Sequence, residues 1–246
     1  MSKVNRRFGV LFPPGNVAME RELPRILPDG VTMHCNRLSR PNPTLTVDSL
    51  LAMKASIPRA VRDLMQMEPE VIIYGCTSGS FLGPDGSEEK IASEIEALSG
   101  VPAITTAQAV CMALHEMKAT TVYMITPYPE ALNIEEARFL EERGIRVPSW
   151  DAFPCTTSKE IRQLTSDDVA ELVLSHQKEI QACDAVFISC TQLVSVDRID
   201  SMEEALRKPV ISSNQASLWA ALRHMEIDMR DSRCGQLLRT LAFDTP

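Results

Sequence analysis

The chain has 246 residues, with 25 Lys and Arg against 33 Asp and Glu for a formal net charge of −8, and it is 44% hydrophobic. That composition is too apolar for disorder, and the charge repels nucleic acid, since no basic run exceeds Arg6-Arg7. Only 10 residues are Gly, against a usual ~7%, and no GxGxxG or GxxxxGK[ST] occurs, which excludes the common phosphate cradles.

In chain order, strands are predicted at Phe8–Phe12, Val31–Cys35, Val71–Tyr74, Val101–Ile104, Val122–Ile125, Ile145–Trp150, Ala185–Ile188 and Val210–Ile211. Several are continuously apolar, as strands buried on both faces of a parallel sheet must be. Amphipathic helices are predicted between them at Val47–Met67, Ser87–Leu98, Ala107–Met117, Pro129–Arg143, Ser166–Ala182 and Gln215–Met225. Ser166-Asp-Asp reads as a helix cap with an acidic first turn. Alternating elements of this kind specify an α/β fold with parallel sheets.

Arg6-Arg7 has the look of a twin-arginine pair. The apolar stretch after it stops at Pro13-Pro14, too early for an export segment. No window approaches the ~18 apolar residues that span a bilayer, so a cytoplasmic protein without a membrane partner is expected. An odd count of 7 Cys in a reducing compartment means free thiols. The closest pair, Cys183 and Cys190, is far from CxxC, and HExxH is absent, so no metal site is expected.

An internal repeat organises the chain. Pro69-Glu-Val-Ile-Ile-Tyr-Gly-Cys76-Thr-Ser matches Cys183-Asp-Ala-Val-Phe-Ile-Ser-Cys190-Thr-Gln, and Val101-Pro-Ala-Ile-Thr-Thr-Ala-Gln matches Lys208-Pro-Val-Ile-Ser-Ser-Asn-Gln. A looser match joins Gly9-Val-Leu-Phe-Pro-Pro to Val122-Tyr-Met-Ile-Thr-Pro. Landmarks in the same order predict two similar α/β halves, residues 1–116 with Cys76 and 117–226 with Cys190, then a C-terminal tail, 227–246.

In each half an apolar strand runs straight into Cys-Thr. The carboxyl ends of parallel strands are where ligands bind, and a thiol there meets backbone N–H groups that favour the thiolate. Cys35, Cys111, Cys155, Cys183 and Cys234 read as packing residues, because Cys behaves as a small hydrophobe. Cys76 and Cys190, equivalent in a duplicated fold, read instead as thiols opposed across a cleft. Such a pair suits proton exchange at a carbon, or nucleophilic addition by one thiol with the other as acid.

The motifs Pro13-Pro14-Gly15-Asn16, Tyr74-Gly-Cys76-Thr77-Ser78-Gly79-Ser80, Ile188-Ser-Cys190-Thr191 and Pro209-Val-Ile-Ser-Ser-Asn-Gln-Ala216 resemble the aspartate/glutamate racemase superfamily. The closest resemblance is to its maleate cis-trans isomerase and arylmalonate decarboxylase branch, over residues 7–225. It implies two flavodoxin-like subdomains related by a pseudo-twofold, an active site between them and no cofactor. It also implies Cys76 as nucleophile or first base and Cys190 as opposing acid. Pro14 and Asn16 would lie in the first carboxylate loop, Thr77, Ser78 and Thr191 in oxyanion pockets, and Tyr128 would donate its hydroxyl. Donors of this kind bind a dianion without Lys or Arg, which suits a chain of charge −8. Two departures bear on the carboxylate contacts. Ser158 precedes Lys159-Glu160-Ile161 where the family's maleate loop carries Asn, and Pro-Gly-Asn replaces Ser-Ser-Asn. The presence of Cys76 argues against the decarboxylase branch, where that position is glycine.

Bland readings account for the remaining candidates. His34, His115, His176 and His224 have core or surface roles, Asn16 and Asn214 suit helix caps, and Asn133 suits the surface. Arg6-Arg7 and the acidic run from Glu135 to Glu142 read as solvated faces, and Trp150 and Trp219 as core or subunit contacts. The expected function is isomerisation of a small dicarboxylate, maleate to fumarate, by an enzyme acting as a homodimer or higher homo-oligomer. Racemisation of an amino acid or hydantoin-like substrate is the alternative. A decarboxylase and a non-catalytic dicarboxylate-binding protein rank lower.

Overall fold

Strands that are apolar on both faces are stable only between two layers of helices. In the computed structural model, which describes residues 5–40 and 44–243, eight strands meet that need in two parallel sheets. The first contains β1 (Arg6–Phe12), β2 (Val31–Arg37), β3 (Ile72–Tyr74) and β4 (Ala103–Thr105). The second contains β5 (Thr121–Thr126), β6 (Arg146–Ala152), β7 (Ala185–Ile188) and β8 (Val210–Ser212). The orders are β2-β1-β3-β4 and β6-β5-β7-β8, the same winding used twice. It follows the 2-1-3-4 opening of the flavodoxin-like order. Registers such as Leu11↔Tyr74 and Ile125↔Ile188 bring the strands' carboxyl ends to one edge of each sheet.

The helices are α1 (Ala18–Glu22), α2 (Val47–Leu51), α3 (Ile57–Leu64), α4 (Thr77–Phe81), α5 (Ser87–Ser99), α6 (Thr106–Glu116) and α7 (Glu130–Glu141). They continue as α8 (Ser158–Ile161), α9 (Ser166–Ser175), α10 (Gln177–Ile180), α11 (Ile199–Leu206), α12 (Ser213–His224) and α13 (Gly235–Arg239). None among the described residues is long and apolar enough to cross a membrane.

Two predicted helices are interrupted. Val47–Met67 breaks into α2, a 3₁₀ turn over Ala52–Ser56, and α3 with Pro58 in its first turn. Proline lacks the N–H that a continuous helix needs and clashes with the preceding turn. Ser166–Ala182 breaks at His176 (φ −103°, ψ 26°), whose ring meets Asp151 at 2.7 Å and stacks on Tyr123 at 5.1 Å. These tertiary contacts override local helix propensity. The cap of α9 is Thr165, not Ser166, in a capping box with Asp168.

The halves join through α6 against α12, where the Thr106 and Ser217 hydroxyls meet at 3.0 Å. Buried Glu22 is a second clamp, accepting Ser195 N–H at 2.7 Å, Val196 N–H at 3.0 Å and Asn214 Nδ2 at 2.6 Å. Asn214 is therefore no helix cap; Ser212 caps α12. On the surface Arg6 is ion-paired, its Nε donating to both Glu70 oxygens at 2.7 and 2.8 Å. The C-terminal segment docks on the second half. Gly235 N–H reaches Asp200 at 3.0 Å, and fully buried Trp219 donates to Thr240 at 3.0 Å. Trp150 is only partly buried, packed against the core.

Candidate active site

Both Cys-Thr turns open at the carboxyl edges of the sheets, into one narrow cleft between the halves. Cys76 and Cys190 line it together, with Asn16, Thr77, Ser78, Tyr128, Ser158 and Thr191 from the predicted set. Pro14 is placed otherwise. It is exposed, its carbonyl accepts Arg37 Nη1 at 3.0 Å, and Pro13 faces the cleft in its stead.

Cys76 leaves β3 in extended conformation and caps α4, its sulfur accepting Gly79 N–H at 3.3 Å. A Cβ on Gly79 would stand 2.9 Å from that sulfur, so only glycine permits the approach. Cys190 follows β7 with φ +93°, a conformation costly for any residue with a Cβ and most often kept at functional sites. Its sulfur accepts Gln192 N–H at 3.4 Å and meets the Tyr128 hydroxyl. Ser213 ties the turns together: its hydroxyl accepts Cys190 N–H at 3.1 Å and the Thr77 hydroxyl at 2.9 Å.

Asn16 and Thr191 form a second tie across the cleft. Asn16 Nδ2 donates to the Thr191 hydroxyl at 3.0 Å, and that hydroxyl donates to the Gly75 carbonyl at 3.1 Å. Asn16 Oδ1 accepts Met19 N–H at 3.1 Å in the first turn of α1, whose N-cap position is Val17, and the residue lines the cleft. One of its two amide hydrogens remains for a ligand. Tyr128 is held by its backbone, its carbonyl accepting Asn133 Nδ2 at 3.1 Å. Asn133 is thus buried beneath the site and not on the surface.

The thiols do not behave as a helix N-terminus alone predicts. Burial pushes Cys190 up to about 12, despite the Tyr128 hydroxyl and the Gln192 N–H. Burial also raises Cys76, opposed by the Gly79 N–H, the Arg40 charge and the Ser78 hydroxyl. Loss of water from the cleft outweighs a few aligned N–H groups. The opposing groups differ, and the Arg40 charge couples to both thiols, first to Cys76.

Sequence reasoning missed three parts of this site. Arg40, on the loop after β2, lines the cleft half-buried; its Nε donates to Ser49 Oγ at 3.0 Å and its Nη2 to the Thr44 carbonyl. Gln192 lines it as well, with Nε2 buried and without a partner among the described residues. The third is Glu136, assigned above to a solvated face but fully buried on α7. It accepts the hydroxyl of Ser189, the residue before Cys190, at 2.6 Å. An Arg after an exposed strand end and a Glu in an acidic run carry no local signal of burial. No group of three or more His, Cys, Asp or Glu side chains able to hold a metal occurs among the described residues.

The roof of the cleft comes from both halves. Leu45 N–H bonds the Thr156 carbonyl at 3.1 Å, and Arg40 Nη1 lies 3.5 Å from Ser158 Oγ. The resulting chamber admits only a small molecule, and its titratable lining is Arg40, Tyr128 and the two thiols.

Known proteins share this fold. A maleate isomerase from Nocardia farcinica is 27% identical over 244 residues, covering 95% of this chain and 96% of the relative. The structure of Nocardia farcinica maleate cis-trans isomerase bound to TRIS superposes with a TM-score of 0.87 at 25% identity, over 96% of this chain and 98% of that one. A cysteine-to-serine mutant of that isomerase, with a covalently bound succinylcysteine intermediate, has a TM-score of 0.87 at 24% identity, over 98% and 99%. The family profile described as arylmalonate decarboxylase matches residues 8–238, nearly the whole described chain. On that match, this chain belongs to the arylmalonate decarboxylase family.

Proposed function

We propose that the chain isomerises a small cis-unsaturated dicarboxylate, maleate to fumarate, through a covalent adduct on Cys76. The observation that carries this reading is the pair of thiols from equivalent turns lining one chamber. No carboxylate, His or Lys lines it with them among the described residues. Proton and nucleophile chemistry then falls to sulfur. The succinylcysteine captured in the Nocardia farcinica enzyme supports the adduct.

Cys76 is the nucleophile, because the Gly79 N–H, the Arg40 charge and the Ser78 hydroxyl all favour its thiolate. Its sulfur adds to one alkene carbon, and the electron pair of the double bond shifts toward the neighbouring carbon. Cys190, held protonated, delivers its proton there to give a succinyl thioether. Rotation about the new single bond brings the carboxylates trans. Cys190 then takes a proton back, the electron pair of that C–H bond forms the trans double bond, and the C–S bond breaks with its pair leaving on Cys76 as the thiolate. Asn16, Thr77, Ser78 and Thr191 bind one carboxylate and the negative charge that develops on it; the Tyr128 hydroxyl supports Cys190. No cofactor enters this scheme.

Two-thiol racemisation is the second reading. An amino acid would bring an α-ammonium into a chamber with no lining carboxylate to pair it, which favours the diacid. Incubation with maleate in D₂O, followed by proton NMR, separates the two. The proposal expects fumarate; α-deuteration of a saturated amino or hydantoin substrate with no turnover of maleate would overturn it.

A further inference from the structure

We propose that Arg40 is the residue that selects an anionic substrate, pairing its guanidinium with a carboxylate at the roof of the cleft. The inference rests on the isomerase reading for the identity of the diacid and goes beyond it in assigning a charged subsite. Arg40 reaches the cleft from the first half and meets Ser158 of the second at 3.5 Å. Its Nε and Nη2 are spent on Ser49 and the Thr44 carbonyl, which lock the fork in place. No Asp or Glu pairs with it among the described residues, whereas most of the other arginines do find a carboxylate.

A half-buried guanidinium without a counter-ion is costly unless a ligand supplies the charge. The same cleft holds a second unspent donor, buried Gln192 Nε2, which finds no acceptor among the described residues. Two donors left open in one small chamber call for a ligand rich in acceptor oxygens. A carboxylate fits a planar fork better than a hydroxyl or an amide does. The two subsites are therefore unequal. One carboxylate meets the cation at the roof, and the other meets neutral donors beside the thiols.

Isothermal titration with succinate, a saturated diacid that cannot be isomerised, tests this in the unaltered chain, Arg40→Gln and Arg40→Lys. Arg40→Gln is expected to bind succinate roughly 10- to 150-fold more weakly, the usual range for a lost charged hydrogen bond. Arg40→Lys keeps the charge without the fork and is expected to lose clearly less affinity than Arg40→Gln. An equal loss in both variants would assign Arg40 to bracing the Thr44 loop and overturn the proposal. So would unchanged affinity in Arg40→Gln, or no succinate binding by the unaltered chain. Maleate turnover is scored separately. Arg40-dependent succinate binding without turnover would remove the isomerase reading and leave the anion subsite standing.

Discussion

Glu136 gives the sharpest test of how the second thiol turn is built. Its carboxyl is fully buried, with Oε1 accepting the Ser189 hydroxyl at 2.6 Å and Oε2 without a partner among the described residues. Burial pushes it up to about 8 from an ordinary 4.5, only partly opposed by Ser189. Between those two values the folded chain holds a proton that the unfolded chain releases. Stability is therefore full below pH 4.5 and falls as pH rises through about 8. The slope in mid-window is about 1.4 kcal/mol per pH unit, and from pH 5.5 to 7.5 the loss comes to about 2.5 kcal/mol. Against a total of ~5–15 kcal/mol this is easily resolved. Glu136→Gln cannot ionise but keeps an acceptor for Ser189. Urea unfolding of both proteins at the two pH values isolates the effect, since other titrations cancel in the difference. The variant should lack about 2.5 kcal/mol of the parent's pH dependence. Parallel curves would refute the assignment of Glu136 as a buried neutral acid.

Four further outcomes follow from named contacts. Tyr128→Phe removes the hydroxyl that lowers Cys190, so Cys190 becomes a weaker acid, and kcat for maleate should fall by ~10²-fold or more in steady-state assays. Gly79→Ala places a Cβ within 2.9 Å of the Cys76 sulfur, and alkylation of Cys76 followed by mass spectrometry should show its reactivity changed while the fold survives. Cys190→Gly should be ~1 kcal/mol more stable to urea than Cys190→Ala, because both lack the thiol and only alanine keeps a Cβ at φ +93°. Glu22→Ala removes the acceptor of the N–H groups of Ser195 and Val196 and of Asn214 Nδ2, and should cost roughly 2–4 kcal/mol in thermal or urea unfolding.

Sequence periodicity located every strand to within two residues, because runs such as Val71–Tyr74 and Ala185–Ile188 have only one way to be buried on both faces. The repeat brought Cys76 and Cys190 out from the other five cysteines, which composition alone could not separate. Where reading failed, the deciding contact was tertiary. Helix periodicity runs through His176, yet Asp151 and Tyr123 from another strand pair end the helix there. Asn133, Asn214 and Glu136 look polar and local in sequence, but each fills a buried position whose partner lies on a different element. Arg40 escaped notice for the same reason. An arginine after a strand looks solvated until the second half brings Ser158 over it.

The division of labour between the thiols is the central claim, and intact-mass spectrometry with peptide mapping addresses it directly. Cys190→Ser and Cys76→Ser are each incubated with maleate, quenched and digested. The account predicts a mass gain of one maleic acid on the Cys76 peptide in Cys190→Ser, and no adduct in Cys76→Ser. An adduct on Cys190 in Cys76→Ser, or fumarate formed at an undiminished rate without Cys76, would contradict it.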